Sequence, residues 1–357
     1  MDFSFLQGKR VVVGMSGGVD SSVTALLMKR AGAHVIALFM RNWEEDEDCP
    51  AVADYEDIVA VCATLDIPFY TVNFAKEYWE QVFSYCLKQF QKGLTPNPDI
   101  LCNREIKFHH FLDKALELGA DYLATGHYCQ KEKIDGKWHL LRGVDANKDQ
   151  SYFLYTLQEK QLEKVLFPVG DLQKSEVRKI ALDNSLITAQ KKDSTGICFV
   201  GKRNFPEFLS RYLPKKPGPF KTLLGKEVGT HEGAHFFTIG QRKGMGIGGE
   251  GAAWFVVAKE METNSVIVVQ GEDHPMLYKP SLIASELSWV ATPPHLPLSC
   301  TVKVRYRTPD VPCQLIAREE GFHEVLFETP QKALTPGQSV VFYQGKICLG
   351  GGIIKDF

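Results

Sequence analysis

The chain has 357 residues, of which 44% are apolar and 24% charged, a composition typical of a globular protein with two or three separately buried cores. No apolar run approaches the roughly 18 residues that a membrane-spanning helix needs, so we expect no membrane partner. The formal net charge of −2 excludes a uniformly basic surface, and a polyanion would have to bind to local patches. The first residues, "MDFSFLQGKR", lack the pattern of a secretory signal, which favours a cytoplasmic location.

The first 200 residues alternate between strand and helix patterns. Strand patterns occur at 10–14, 34–40, 68–74 and 121–127, separated by helical patterns around Val23, around Ile58, at 76–91 and at 105–119. Such alternation predicts a parallel sheet that is covered by helices.

Beyond about residue 200 the pattern changes to short alternating runs such as "AWFVVAKE", "SVIVVQG" and "HEVLFE", separated by turns. These runs predict antiparallel hairpins and a small barrel. In "VRYR", strand alternation would place Arg305 and Arg307 on one face and Tyr306 on the other.

Two stretches of this second half suggest ligands. The segment "GKRNFPEFLSRYLPKKPGPFK" is basic, and Lys215 and Lys216 within it predict a patch that follows nucleic-acid phosphates. Further on, "GMGIGGEG" satisfies G-x-G-x-x-G through Gly244, Gly246 and Gly249. Its flanks, "HFFTIG" and "AAWFVVAK", both have strand character, so no βαβ unit surrounds it and we reject a dinucleotide site.

The first strand leads into "GMSGGVDSS", a glycine loop before a helix. A helix N-terminus binds anions through unsatisfied N–H groups, and serine hydroxyls add donors. The loop lacks the lysine of a Walker-type phosphate loop, so it favours a leaving pyrophosphate, and hence adenylation, over γ-phosphoryl transfer. The alternative is a tight turn with a serine cap. Asp20 suits helix capping or Mg²⁺ better than direct contact with phosphate. The predicted nucleotide contacts here are Gly14, Met15, Ser16, Gly17, Gly18, Val19, Asp20 and Ser21.

None of the nine cysteines forms a C-x-x-C pair, so we predict neither a zinc ribbon nor an iron–sulfur cluster, and no metal held by protein ligands. Cys102 follows Asp99 in the proline-rich loop "TPNPDILCN", and Cys198 lies in "KKDSTGICFVG". Arg104 and Lys107 would stabilise a thiolate at Cys102. A small buried packing role is an equal alternative for both cysteines on local sequence alone.

These motifs resemble the pyrophosphate-loop family of ATP α-hydrolases, and in particular the tRNA-uridine 2-sulfurtransferases (2-thiouridylases). The resemblance covers nearly the whole chain, because the family's other motifs occur in the family's order: "FMRNWEED", "TPNPDILCNREIKF", "ATGHY", "KDQSYFL", "STGICFVG", "TIGQRKG", "VRYR" and "CLGGGII". Together with the element patterns it implies an α/β fold. A pyrophosphate-loop, Rossmann-like catalytic domain (1–200) is followed by a small central domain (201–272) and a tRNA-contacting antiparallel β-barrel (273–357).

The resemblance also implies roles for single residues. The position of Cys198 receives sulfur as a persulfide, that of Cys102 is the nucleophile that frees it, and that of Asp99 is a general acid/base. Met40 and Gly126 would line the nucleotide. The positions that match tRNA contacts are Asn97, Pro98 and Asp99 at the target base, and His127, Lys148, Asp149, Gln150, Arg305, Tyr306 and Gln338 elsewhere.

The implied activity is ATP-dependent 2-thiolation of a tRNA uridine, with the anticodon wobble position as the family's target. ATP and Mg²⁺ would adenylate the uracil C2 oxygen, and the persulfide sulfur would displace AMP. Thiol–disulfide exchange would then leave a Cys102–Cys198 disulfide. The implied partners are tRNA and a persulfide sulfur donor protein. Two alternatives are a pyrophosphate-loop ligase that adenylates a small molecule and a non-catalytic RNA-binding module.

Overall fold

The computed structural model describes residues 3–43, 51–193 and 205–357. Within these residues the strands, in chain order, are β1 (Arg10–Met15), β2 (His34–Arg41), β3 (Phe69–Asn73), β4 (Tyr122–Ala124), β5 (Cys129–Ile134), β6 (Lys137–Arg142), β7 (Val165–Leu166), β8 (Gly218–Lys221), β9 (Glu227–His231), β10 (Trp254–Glu260), β11 (Ser265–Gln270), β12 (Tyr278–Trp289), β13 (Leu298–Lys303), β14 (Val311–Ala317), β15 (His323–Lys332), β16 (Ser339–Gln344) and β17 (Ile347–Asp356). The α-helices are α1 (Val19–Arg30), α2 (Ala51–Leu65), α3 (Ala75–Tyr78), α4 (Ser84–Gln91), α5 (Pro98–Leu101), α6 (Phe111–Glu117), α7 (Glu159–Lys164), α8 (Lys174–Asp183) and α9 (Phe205–Leu209). Two π-helical segments, Trp79–Phe83 and Cys102–His110, connect α3 to α4 and α5 to α6.

The N-terminal sheet is parallel, with strand order β3-β2-β1-β4-β7. Its β-branched residues alternate between two cores: Val11 and Val13 pack on one face, and Val12 packs on the other. Helices on both faces bury these side chains, as strands of a doubly covered sheet require. The carboxyl ends of β1, β2 and β4 meet at one edge, where ligands of such sheets bind.

The hairpin of β5 and β6 leaves this sheet and pairs with the C-terminal strand β17, through Leu141 with Ile347 and Leu140 with Cys348. Neither periodicity nor motif predicts this pairing, because it joins segments about 200 residues apart in sequence. The β5–β6 hairpin of the N-terminal half and the C-terminal strands therefore share one continuous sheet.

The second half is built from antiparallel hairpins. A four-stranded sheet, β10-β11-β8-β9, forms the middle of the chain. Six further strands, β12-β15-β14-β13-β16-β17, close into a barrel because β12 also pairs with β17. The predicted fold class, a parallel sheet followed by a small middle domain and an antiparallel barrel, is confirmed.

Two local predictions in this half are wrong. Strand β13 ends at Lys303, and Arg305, Tyr306 and Arg307 lie in a turn where Arg307 has a φ of +64°. The flank "HFFTIG" forms a 3-10 turn and a loop instead of a strand. In both cases aromatic residues raise the local β-propensity, but the backbone there belongs to none of the three sheets. No helix in the described ranges is long and apolar enough to cross a membrane.

Candidate active site

The glycine loop joins β1 to α1 at the carboxyl edge of the parallel sheet. Gly17 has a φ of +71°, and a Cβ there would lie 2.7 Å from backbone atoms of Asp54, so only glycine fits without strain. Gly18 is the N-cap of α1 and makes no side-chain cap. Since the first N–H groups of a helix have no partner within it and lie at the positive end of the dipole, the loop offers an anion site.

Two serine hydroxyls are used to shape this loop. Ser21 Oγ donates to the carbonyl of Gly18 at 3.0 Å and accepts from the backbone N–H of Ser16 at 3.2 Å. Ser22 Oγ donates to the same carbonyl at 2.9 Å and accepts from Thr188 Oγ1 at 3.0 Å. Ser16 is exposed, and its Oγ shares a 3.3 Å hydrogen bond with Ser21 Oγ, which places this hydroxyl at the surface of the loop.

A lysine reaches the loop from α8. Lys174 Nζ lies 2.6 and 2.7 Å from the two carboxylate oxygens of Asp20, and the hydroxyl of Tyr128 donates to the same carboxylate at 2.7 Å. Burial and then the charge of Asp20 raise the pKa of Tyr128 above its ordinary value. The capping interpretation of Asp20 is wrong, because Gly18 occupies the cap and the carboxylate faces Lys174. The lysine that the loop lacks in sequence is thus brought to it by tertiary contact, a connection that the sequence analysis missed and that no local signal reveals.

Asp193 extends this cluster. It lies 2.9 Å from Lys174 Nζ and 2.7 Å from Arg178, and it also accepts a hydrogen bond from Lys148, one of the predicted tRNA contacts. Burial by itself raises the pKa of Asp193, but the hydrogen bonds from Lys148 and Lys174 prevail and lower it to about 2. Asp193 is the last described residue before the segment that contains Cys198, and the predicted persulfide cysteine itself lies outside the described residues.

The loop after β4 closes the anion site from the side. A Cβ on Gly126 would lie 2.9 Å from backbone atoms of both Asp20 and Ser21, so the loop backbone rests directly on the first turn of α1. Met40 is half-buried near the end of the neighbouring strand β2. Both predicted nucleotide contacts therefore lie at the same sheet edge as the glycine loop.

The predicted loop around Asp99 and Cys102 is a helix instead. Asn97 is its N-cap, and its Oδ1 accepts from the N–H groups of Asp99 at 3.1 Å and Ile100 at 3.3 Å, with Pro98 at the first helical position. The helix changes to π geometry at Cys102, a feature common at functional sites. The Asn97-Pro98 pair is itself a helix-start signal, so this error was avoidable from the sequence.

The charge of Lys107 affects the pKa of a group on this helix and of another at the nucleotide edge. Burial raises the pKa of Asp99, and Lys107 opposes that shift. The ring of His127, next to Gly126, lies tilted against that of Phe108 with centroids 5.6 Å apart, and His127 Nδ1 shares a 2.9 Å hydrogen bond with Thr125 Oγ1. Its pKa lies well below the ordinary value because of burial and then of the charge of Lys107. Because Phe108 belongs to the segment that begins at Cys102 and its ring contacts that of His127, this segment and the nucleotide edge lie side by side.

The thiol of Cys102 is covered, with 2% of the residue exposed. It packs in a core that also contains Phe83, Ile106 and, from the following domain, Phe208. A reaction at this thiol therefore requires local movement of the side chains over it.

Two predicted tRNA contacts are turned inward. The buried Asp149 accepts from the backbone N–H groups of Gly143 at 3.2 Å and Ser151 at 3.1 Å. Gln150 Oε1 accepts from the N–H of Tyr128 at 2.9 Å. In this structure these side chains fix the loop that carries Tyr128 to the glycine loop.

Arg305 ties the middle of the chain to the barrel. Its Nη2 donates to the carbonyls of Ile239 at 3.0 Å and Ala333 at 2.9 Å, and to Thr335 Oγ1 at 2.8 Å. These contacts lie between the four-stranded sheet and β15, so the side chain holds the two domains in a fixed relation.

The barrel also touches the segment before the Asp99 helix. Gln338 Nε2 donates to the carbonyl of Thr95 at 2.7 Å, and the N–H of Thr95 donates to Pro336 at 2.9 Å. The ring of Tyr306 lies 4.5 Å from that of Phe153. The structure thus brings Gln338 to the entrance of the Asn97 helix.

Comparisons with known proteins match nearly the whole chain. Residues 9–202 match the family model of the tRNA methyl transferase HUP domain, 206–270 that of the tRNA methyl transferase PRC-barrel domain, and 279–354 that of the aminomethyltransferase β-barrel domain.

Among curated proteins, the tRNA-specific 2-thiouridylase MnmA of Protochlamydia amoebophila is 59% identical, over 98% of this chain and 94% of that protein. The protein of the same name from Alkaliphilus oremlandii is 56% identical, over 97% of each chain. Among solved structures, an NMN synthetase from Francisella tularensis is similar with a TM-score of 0.35 and 16% identity, over 58% of this chain and 74% of that one. This structural likeness is too weak to carry an argument.

Proposed function

Because the chain belongs to the tRNA-specific 2-thiouridylase family, we propose that it catalyses ATP-dependent 2-thiolation of a tRNA uridine, with the anticodon wobble uridine as the target. The observation that carries the proposal is the ring contact between Phe108, in the helical segment that begins at Cys102, and His127 of the nucleotide edge, with centroids 5.6 Å apart. Adenylation and sulfur chemistry can therefore take place in one site. Since the proposed substrate is tRNA, we also propose a cytoplasmic location.

The nucleotide would lie at the glycine loop. The α1 N-terminus and Ser16 bind the phosphates, and Gly126 lets the loop after β4 lie directly against the first turn of α1 beside them. When bound, ATP supplies the adenylyl group that turns the uracil C2 oxygen into a leaving group. Asp20 is already paired with Lys174, so we propose that Mg²⁺ enters on the phosphates instead of on this carboxylate.

The sulfur step uses two cysteines. Sulfur from a persulfide donor protein is carried on Cys198, and its terminal sulfur attacks C2 while AMP leaves. The thiolate of Cys102 then attacks the Sγ of Cys198, which breaks the S–S bond and leaves the sulfur on the base. A Cys102–Cys198 disulfide results, and an external thiol must reduce it before the next turnover. In this proposal Asp99 holds and returns a proton at the base, and the rise in its pKa caused by burial supports that role.

The tRNA would lie across the Asn97 helix and the barrel. Asn97, Pro98 and Asp99 form the helix start, and Gln338 binds the backbone of Thr95 just before it. Arg305 and Tyr306 lie in the bend and turn that follow β13. His127, Lys148, Asp149 and Gln150 lie behind them, towards the nucleotide edge. The domain bounds at 1–200, 201–272 and 273–357 belong to the same proposal.

The test is a product analysis with unmodified tRNA, ATP and a persulfide donor. We expect AMP, pyrophosphate and 2-thiouridine in equal amounts, formed only when tRNA is present. Pyrophosphate released with a small molecule alone would support a ligase, a methylated nucleoside would support a methyl transferase, and ADP with orthophosphate would contradict the interpretation of the loop. Serine at Cys102 or Cys198 should stop 2-thiouridine formation, which a small-molecule ligase would tolerate.

A further inference from the structure

A second concave surface lies in the middle of the chain, away from the glycine loop. It is a cavity of about 310 Å³ lined by the segment between β9 and β10, and we call it the 242–254 cradle. Its lining residues are Arg242, Lys243, Gly244, Met245, Gly246, Ile247, Gly249, Gly251, Ala252, Ala253 and Trp254.

The cradle is a fixed structure. Met245 is 8% exposed and belongs to the aromatic core, and Ile247 packs beside it, so alternate residues anchor the loop. Gln241 donates to the carbonyl of Lys243 at 3.0 Å at one end, and Gln270 donates to the carbonyl of Glu250 at 2.9 Å at the other. The loop is therefore held at both ends and in its middle.

Between these anchors the backbone is open. Gly246 and Gly249 have φ values of +65° and +109°, and an added Cβ on either would meet no atom within 4 Å. Successive glycines of this kind expose backbone N–H groups to a ligand without a side chain in the way. The surface is thus shaped for close approach of a polar chain.

The charge of the cradle indicates an anion. Arg242 and Lys243 are both exposed, and their side chains form no hydrogen bond or ion pair with the described part of the chain. By contrast, Lys215 of the predicted basic patch is paired with Glu232 at 2.9 Å. Trp254, half-buried at the start of β10, adds an aromatic ring to the same cavity.

We propose that the 242–254 cradle binds the sugar–phosphate backbone of the tRNA, with Arg242 and Lys243 on phosphates and Trp254 against a sugar or base. The inference rests on the proposed function and adds a binding site to it. Its position supports it: the cradle begins just after Ile239, whose carbonyl is held by Arg305, so it is continuous with the turn that carries the predicted contacts Arg305 and Tyr306. The cations and the open glycine backbone suit the phosphates of single-stranded or looped RNA, and the aromatic ring suits its unstacked bases.

The experiment compares Arg242→Gln/Lys243→Gln with a control that removes two exposed lysines elsewhere, Lys160→Gln/Lys226→Gln. Binding of unmodified tRNA is measured over a series of salt concentrations. Loss of two phosphate contacts should weaken binding about tenfold or more near 0.1 M salt and reduce the slope of log K against log salt by about 2, while the control keeps the wild-type slope. At saturating tRNA the rate of pyrophosphate release should be unchanged, because the cradle does not touch the glycine loop.

A Trp254→Phe variant provides a second, independent readout. We expect tRNA to quench tryptophan fluorescence less in this variant, with little change in the salt slope, because a ring carries no charge. Wild-type affinity and slope in the double variant would overturn the inference while leaving the proposed function intact. Unchanged tRNA binding with slower sulfur delivery would assign the cradle to the sulfur donor instead and would also overturn it. Wild-type protein that neither binds nor thiolates tRNA would contradict the proposed function itself.

Discussion

Replacement of Lys174 by methionine tests the cluster that brings a lysine to the glycine loop. The change keeps the length of the side chain and removes its charge, so Asp20 and Asp193 lose the cation between them. The side chain of Lys174 is only 12% exposed, which limits screening of the pair by water. Both the free energy of unfolding and the KM for ATP should therefore change.

The expected loss of stability is calculated from the pKa of Asp193. Its pKa falls from 3.8 to about 2, and at about 1.4 kcal/mol per pKa unit this corresponds to about 2.5 kcal/mol, shared chiefly by Lys148 and Lys174. With the additional loss at Asp20, we expect Lys174→Met to lower the free energy of unfolding by about 1–2 kcal/mol. Because the folded-state pKa is depressed, this stabilisation is complete above about pH 4 and is lost as the pH falls towards 2. Measurements at pH 7 therefore report all of it.

Chemical unfolding and pyrophosphate release are measured on the same variants. Lys179→Met, an exposed change on the same helix, is the control and should stay within about 0.5 kcal/mol of wild type. Lys174→Met leaves the carboxylate of Asp20 without its cation beside the phosphate site, while Asp193 keeps Lys148 and Arg178, so the KM for ATP should rise about tenfold or more. In Lys174→Met/Asp193→Asn the loss of stability should be smaller than the sum of the two single changes. Wild-type stability of Lys174→Met, or strict additivity in the double variant, would refute the reasoning.

Three further outcomes are expected. Gly126→Ala should weaken ATP binding, measured by calorimetry, about tenfold or more, because its Cβ would lie 2.9 Å from the backbone of α1. The control, Gly248→Ala, should bind ATP normally, because a Cβ there meets no atom within 4 Å. Equal ATP affinities of the two variants would contradict the close approach of Gly126 to α1. Cys102→Ser should release pyrophosphate in a single turnover without forming 2-thiouridine. The control, Cys86→Ala, changes a thiol whose pKa burial raises to about 12, and it should still form 2-thiouridine. Formation of 2-thiouridine by Cys102→Ser would show that Cys102 is not the nucleophile. Because the pKa of His127 is lowered in the folded chain, the unfolded chain binds a proton at this residue below about pH 6.5 and the folded chain does not. The free energy of unfolding therefore decreases as the pH falls below about 6.5. Thermal unfolding between pH 7.5 and 5.5 should show a smaller loss for His127→Gln than for wild type, and parallel curves would argue against a buried neutral imidazole.

The two errors in secondary structure at predicted site residues have different causes. Asp99 and Cys102 lie on a helix because Asn97 caps it and Pro98 opens it, and the prolines of this stretch misled the loop prediction. Arg305 and Tyr306 lie in a turn despite their alternating pattern, because strand β13 ends at Lys303. In the first case a local signal was available; in the second the end of the strand depends on which neighbours remain to pair with it.

The sequence by itself determined the elements whose shape depends on nearby residues: the β-branched strand, the glycine loop with its required left-handed turn at Gly17, and the order of the three folding units. Only the tertiary structure decided which distant groups meet. It brings Lys174 to Asp20 across 154 positions, joins the β5–β6 hairpin to the barrel, and packs Phe108 against His127. Backbone conformation is biased by its immediate neighbours in sequence, whereas ion pairs and strand edges are satisfied by whatever side chain or strand the packing of layers places beside them.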